Sequence, residues 1–325
     1  MIQRIAIYLL ITGVLLTGSP APAQQPAKIF RIGYLSAVSP TDQTLGGFRR
    51  VLSELGYVEG KNLLIEYRFA EGKLDRLPAL AADLVRLKVD VIVTRGPSAT
   101  RPAKDTTTTI PIVMMQDPDP VGSGFVASLA QPGGNITGLS SYSAELNGKR
   151  LELLKETVPK LSRVAVLEHS TNPGNAQALK DIDLAAGMLR VNVLRFDIRD
   201  PKSIESVFRA ANKERAEGIV VVNNPFVGAI RKQITSLAVK YRLPAIYFNS
   251  FYVDDGGLMS YAASDADQVR RAAVHVDKIL KGAKPADIPV EQPMKFEFIV
   301  SLIAAKQIGL TIPPNVLVRA QKVIR

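Results

Sequence analysis

The sequence predicts an α/β protein built as two similar lobes, each a parallel sheet flanked by helices, joined by a hinge. Three observations carry this. Short apolar runs are followed by turn residues and then by amphipathic stretches, the strand–loop–helix order of a parallel sheet covered by helices. That order occurs twice, with matching strand starts offset by roughly 120–135 residues, about one α/β domain. A chain of 325 residues with 46% hydrophobic and 22% charged content is an ordinary globular composition, and its length favours two domains over one.

In the first lobe, apolar runs place strands at residues 30–35, 63–68, 89–94, 110–115 and 135–140. In the second they fall at 163–168, 191–196, 218–222, 245–249 and 257–261. Helices fit between them at 42–55, 76–87, 98–106, 144–157, 177–188, 204–215, 229–241 and 266–281. The second of these shows the reason: Leu77, Leu80, Ala81, Leu84 and Leu87 recur at helical spacing, while Arg76, Asp83 and Arg86 fall on the other face. The turns carry their own chemistry, in Gly56 to Asn62 as a helix stop and in Gly133-Gly134-Asn135 before the fifth strand. The chain is expected to cross between lobes near 137–142, near 257–262 and near 289–293, with Thr137, Gly138, Ser140, Ser141, Ser260 and Tyr261 as hinge residues. The expected division is 28–139 with 262–290 for the N-terminal lobe and 140–261 for the C-terminal lobe, leaving 291–325 unassigned to either.

Residues 1–23 stand apart. A basic start at Arg4, an apolar run from Ile5 to Leu16 and the small-residue site Ala21-Pro22-Ala23 make the plan of a secretory signal peptide, expected to be cleaved near Ala23. The apolar run is shorter than the span of about 20 residues a membrane helix needs. Export makes nucleic acid a poor partner for the +11 net charge. That charge, 41 Lys and Arg against 30 Asp and Glu, is scattered over helical faces with no basic block of five. There is no cysteine, which excludes disulfides, thiolate metal sites, cysteine nucleophiles and a lipidated cysteine, so a freely diffusing protein is expected.

Phosphate-loop, dinucleotide and nucleophile-elbow motifs are absent, and the two histidines, His169 and His275, are too few for a multi-histidine metal site. His275 lies in an apolar helical stretch and reads as structural. No cofactor and no catalytic residue is expected. The informative residues sit at the carboxyl ends of the strands, where open α/β sheets place ligands. In the first lobe these are Ser36, Thr94, Arg95, Gly96, Ser98, Gln116 and Asp117; in the second, His169, Ser170, Asn172, Asn223, Asn224 and Asn249. Hydroxyls, amides and carboxylates of this kind can hold a small polar molecule from two sides, and they include no nucleophile–base pair. The strand running into Gly96-Pro97-Ser98 and a helix offers free N–H groups for a ligand carboxylate, with Ser98 alternatively a helix cap. Asp117 and Asp119 can face a ligand ammonium, or Asp119 can serve the Asp-Pro turn. Tyr34, Tyr142, Phe226, Phe248, Phe251, Tyr252 and Tyr261 are aromatic candidates for the cleft wall or the core.

A run of segments resembles a known family. They include Arg31-Ile32-Gly33-Tyr34-Leu35-Ser36, Glu54-Leu55-Gly56-Tyr57-Val58-Glu59-Gly60-Lys61-Asn62-Leu63 and Pro132-Gly133-Gly134-Asn135-Ile136-Thr137-Gly138. Further on come Gly148-Lys149-Arg150-Leu151-Glu152-Leu153-Leu154-Lys155, Gly256-Gly257-Leu258-Met259-Ser260-Tyr261 and Gly309-Leu310-Thr311-Ile312-Pro313-Pro314. These are similar to bacterial ABC-transporter substrate-binding proteins of the tryptophan/tyrosine/phenylalanine-binding kind. The resemblance covers nearly the whole chain after residue 23. It implies a type I periplasmic binding protein fold of two Rossmann-like lobes, a ligand such as an amino acid or related carboxylate held by hinge closure, delivery to an inner-membrane ABC permease, and a monomer. Arg95 and Arg101 stand where the family usually has small residues, and Gln116-Asp117-Pro118 and His169-Ser170-Thr171 also depart from it. The added Arg and Asp point to a more polar or acidic ligand than an aromatic amino acid. Two other functions fit the same residues: a periplasmic sensor component presenting its ligand to a membrane signalling receptor, and an exported α/β enzyme.

Overall fold

A computed structural model describes residues 28–37, 42–141, 146–170, 175–223, 227–228 and 230–325. The expected signal peptide and the candidates Asn172, Asn224, Tyr142 and Phe226 lie outside these residues.

The first sheet contains β1 (Phe30–Ser36), β2 (Leu63–Phe69), β3 (Val91–Arg95), β4 (Ile112–Asp117) and β5 (Ile136–Ser140), all parallel, in the order β2-β1-β3-β4-β5. Its helices are α1 (Asp42–Glu54), α2 (Leu77–Arg86) and α3 (Pro97–Thr106). Both faces of such a sheet must be covered, so its strands are near-continuous apolar runs. One face (Leu35, Ile92, Met114) packs on Leu77, Ala81 and Leu84 of α2 and on Ala99 and Ala103 of α3. The apolar spacing seen along 77–87 therefore marks the buried stripe of α2.

The second sheet runs β12-β11-β10-β9-β8-β6-β7. It is formed by β6 (Arg163–Glu168), β7 (Asn192–Asp197), β8 (Gly218–Val221), β9 (Ala245–Tyr247), β10 (Met259–Ala263), β11 (Phe296–Ser301) and β12 (Lys322–Ile324). Its helices are α4 (Leu146–Thr157), α5 (Asn175–Leu189), α6 (Ile204–Lys213), α7 (Arg231–Lys240), the short α8 (Phe251–Asp254), and, after the helix α9 (Asp265–Leu280), α10 (Leu302–Ile308) and α11 (Pro314–Arg319). Only β10 and β11 pair antiparallel among the described strands. Five strands per lobe were expected, and the second sheet has seven, because residues 296–324 return to it and supply β11 and β12.

Helix α9 does the opposite, leaving the second sheet to cover the first. Val269, Ala272, Ala273 and Val276 pack on Ile32, Tyr34, Val91 and Val93. Tyr57 Oη donates to Asp277 Oδ1 at 3.0 Å. Burial and this carboxylate push the Tyr57 phenol up to about 12. His275 is fully buried there, its Nδ1 3.0 Å from the Arg271 carbonyl, which fits its structural reading.

The chain passes between the sheets three times, over 141–146, 263–265 and 291–296. Each pass lies slightly later than the sequence suggested. Thr137, Gly138 and Ser140 belong to the β5 ladder, and Ser260 and Tyr261 belong to β10, which is paired on both sides; of the expected hinge residues only Ser141 lies on a pass. The reason is local. Residues 288–291 run beside β5, with Thr137 Oγ1 donating to the Ile288 carbonyl at 2.6 Å and Ser140 N to the Glu291 carbonyl at 3.0 Å, so β5 is held to its end. The passes are also tied together: Gln268 Nε2 donates to the Ser140 carbonyl at 3.3 Å, Arg271 Nε to Glu291 Oε2 at 2.6 Å, and Ser264 N to the Lys295 carbonyl at 2.9 Å.

Candidate functional site

Strands β1, β3, β4 and β5 end on Ser36, Arg95, Asp117 and Ser140, all buried. Consecutive residues of a strand point to opposite faces, so Thr94 and Arg95 serve different sides of the sheet. Thr94 Oγ1 lies 2.8 Å from Thr100 Oγ1 on α3, and Thr100 Oγ1 donates to Asp117 Oδ2 at 2.9 Å. Thr94 is thus a buried support for this chain of hydroxyls rather than a group at the open edge. Asp117 is fully buried and its Oδ1 has no partner. Burial pushes its carboxyl up to about 7, against the lowering effect of Thr100 and Arg101.

On the other face, Arg95 Nη2 donates to Asp265 Oδ1 at 2.7 Å, and Gln116 Nε2 donates to the same oxygen at 2.7 Å. Thr44 Oγ1 holds Asp265 Oδ2 at 2.9 Å. Gln116 has φ +61°, an uncommon backbone state for a residue with a side chain, which turns it out of the strand toward α9. Burial alone would lower the Arg95 pKa, and the adjacent Asp265 raises it. The Tyr34 hydroxyl, itself buried, faces this guanidinium without meeting hydrogen-bond geometry. Arg95 Cζ also lies 5.5 Å from the ring centroid of Phe251 on α8, so here the carboxyl edges of the two sheets meet.

Arg95 is therefore neutralised within the protein. Arg101 is turned away, donating to the Ser123 carbonyl and lying 4.7 Å over the Phe125 ring. The acidic ligand expected from these two arginines loses its support, because a charge already paired at close range has little left for a solute. Ser98 is not a cap: Gly96, at φ +76°, occupies the cap position and no side chain bonds there, which leaves Ser98 half-buried in the first turn of α3. Asp119 takes its turn role, its Oδ1 accepting from Gly122 N at 2.8 Å.

At the second sheet, His169 and Asn223 are half-buried at the ends of β6 and β8. Ser170 N and Oγ donate to Asp197 at 3.0 and 2.6 Å, and Arg199 Nε adds a third bond at 2.6 Å. Burial opposes the effect, but these donors outweigh it and hold the Asp197 carboxyl down to about 2. Asn249 lies beyond β9, its Oδ1 accepting from Phe251 N at 2.9 Å. Ser170 and Asn249 thus shape their loops. Glu168, buried, accepts from Asn175 Nδ2 at 2.6 Å.

Six of the twelve buried side-chain atoms without a partner among the described residues gather around the edge of the first sheet: Tyr34 Oη, Arg95 Nη1, Asp117 Oδ1, Ser140 Oγ, Ser141 Oγ and Gln268 Oε1. Buried polar groups are ordinarily satisfied, so such a concentration marks a place built to meet something else. Asp265, Thr100 and Gln268 were not among the sequence candidates. Asp265 lies 170 residues from Arg95 and reads in sequence only as an acidic first-turn residue of a helix.

Two α/β sheets whose carboxyl edges meet, linked by three passes, define the two-lobed class of solute-binding proteins. The chain belongs to the ABC transporter substrate binding protein family, whose model matches residues 36–324. Members of that family bind solutes and are not enzymes. The tyrosine-binding protein of Clostridioides difficile (strain R20291) is 25% identical over 260 residues, covering 80% of this chain and 74% of its own length. A domain crystallised in complex with L-Trp from Streptococcus pneumonia superposes with a TM-score of 0.82 at 25% identity, covering 91% of this chain and 100% of that one. A conserved domain protein from Vibrio cholerae O1 biovar eltor gives 0.80 at 26% identity, with the same coverage.

Proposed function

We propose that the protein is the receptor of an ABC importer, exported to the periplasm, where it captures a small polar solute of the amino-acid class between its lobes and delivers it to an inner-membrane permease. The observation that carries this reading is the group of unpartnered buried polar atoms at the carboxyl edge of the first sheet, opposite Phe251 of the second. The names of the tyrosine- and tryptophan-binding relatives support the solute class. Three backbone passes suit a hinge, because a few φ/ψ changes suffice to move one lobe on the other. Closure follows if the solute bridges polar groups of both lobes, since it then favours the closed state by its differential affinity.

Native mass spectrometry of freshly purified protein, followed by a thermal-shift panel of amino acids, aromatic acids and purines, tests this. A solute at 100 times its Kd stabilises by about 2.7 kcal/mol, a readily measured shift. Turnover of a solute, or stabilisation by none, contradicts the proposal.

A further inference from the structure

We infer that Asp117, with Ser140 beside it, forms the subsite for a protonated amine of the bound solute, so that the protein selects solutes bearing an ammonium group over their deaminated counterparts. This rests on the reading of the protein as a solute receptor. Asp117 and Ser140 end neighbouring parallel strands and are directly paired, so their side chains leave the same face of the sheet. Asp117 Oδ2 is held by Thr100, while Asp117 Oδ1 and Ser140 Oγ are buried and unpartnered. An ionised carboxylate only accepts hydrogen bonds, so the group missing at Oδ1 is a donor. A serine hydroxyl donates or accepts by rotating. An ammonium, with three protons and a positive charge, satisfies both atoms together; a solute carboxylate placed there meets like charge.

The charged groups around Asp117 leave this role open. From α3, Arg101 lowers the Asp117 pKa, but its guanidinium is bonded to the Ser123 carbonyl. On β3 and α9, Arg95 and Asp265 neutralise one another on the opposite face. Among the described residues no Lys, Arg or His makes an ion pair with Asp117. With its carboxyl pushed up to about 7, Asp117 is near half-protonated in the free protein at neutral pH. Capturing an ammonium favours the ionised form, so affinity for an amine rises from pH 5.5 to 7.5.

Calorimetric titration with L-tryptophan, L-tyrosine and L-leucine, each beside its deaminated acid (indole-3-propanoate, 3-(4-hydroxyphenyl)propanoate, 4-methylpentanoate), tests the inference. The amine-bearing partner is expected to bind roughly 30-fold or more tightly, the scale for a buried charge contact. Asp117→Asn is expected to bring the ratio of the two affinities to within about 3-fold of unity. If Asp117→Asn does not fold, Ser140→Ala and the wild-type pH profile decide, with a several-fold loss for the amine and the stated rise with pH. Equal or tighter binding of the deaminated acids, unchanged discrimination in the variant, or a flat pH profile overturns the inference. Binding of deaminated acids alone overturns it while the receptor reading stands; binding of no solute from either class overturns both.

Discussion

Arg95 illustrates how a side chain with an evident charge can be occupied by the fold. Its side chain is 7% exposed and its partner Asp265 19%, so the pair is close to a buried ion pair, in which removing one member strands the other. Asp265→Ala is expected to lower stability by about 2–3 kcal/mol, read from urea midpoints, and the double replacement Arg95→Leu with Asp265→Leu to recover most of that loss. Asp117 makes a prediction of the opposite kind. Its folded pKa lies above its unfolded value, so its contribution is fully present below about pH 4 and is lost as pH rises through about 7. The ligand-free melting temperature of Asp117→Asn should therefore exceed that of the wild type more at pH 8 than at pH 5. Strand ends were legible as the place to look, which found Arg95, Gln116 and Asp117. Their roles were not, because Asp265 and Thr100 reach them from helices distant in sequence.

At the scale of elements, alternating apolar runs and amphipathic stretches located nearly every strand and helix of the first 280 residues, since each buries a periodic face. The last stretch was less readable: β11 follows a run of prolines and lysines rather than a helix, and β12 is three residues long and shows no period. Gly138 was read as a hinge glycine, and the structure gives it another reason. It sits at φ +133° where β5 closes on β4 beside a register shift, and a Cβ there would lie 2.1 Å from the Met114 carbonyl oxygen. Gly138→Ala is expected to cost roughly 2–4 kcal/mol, visible as a lower urea midpoint, because a backbone clash cannot relax by side-chain rotation. The loop after β6 depends instead on Asp197. Its carboxyl is depressed to about 2, so its bonds to Ser170 hold above about pH 4 and fail as pH falls toward 2; the protection factor of the Ser170 amide, its exchange relative to the intrinsic rate at each pH, should fall over that interval.

The whole molecule combines two cores with three linked passes and an edge where polar atoms are left without partners. Two lobes were readable from the repeated strand–helix order, because each lobe is a complete folding pattern of its own. The return of residues 262–290 to the first lobe was part of that reading, and only the place of residues 291–325 was left open, since β11 finds its partner β10 across the whole of α9. The chain's +11 net charge gives no guide to the solute: the arginine at the edge is ion-paired with Asp265, and among the described residues the edge carboxylate Asp117 has no ion-pair partner. The most direct test of capture between the lobes is calorimetric titration of the solute recovered by native mass spectrometry, with wild type and Phe251→Ala side by side. Saturable one-to-one binding that returns the solute unaltered, weakened in the variant, is the predicted result; conversion of the solute, or identical binding by both proteins, would contradict the account.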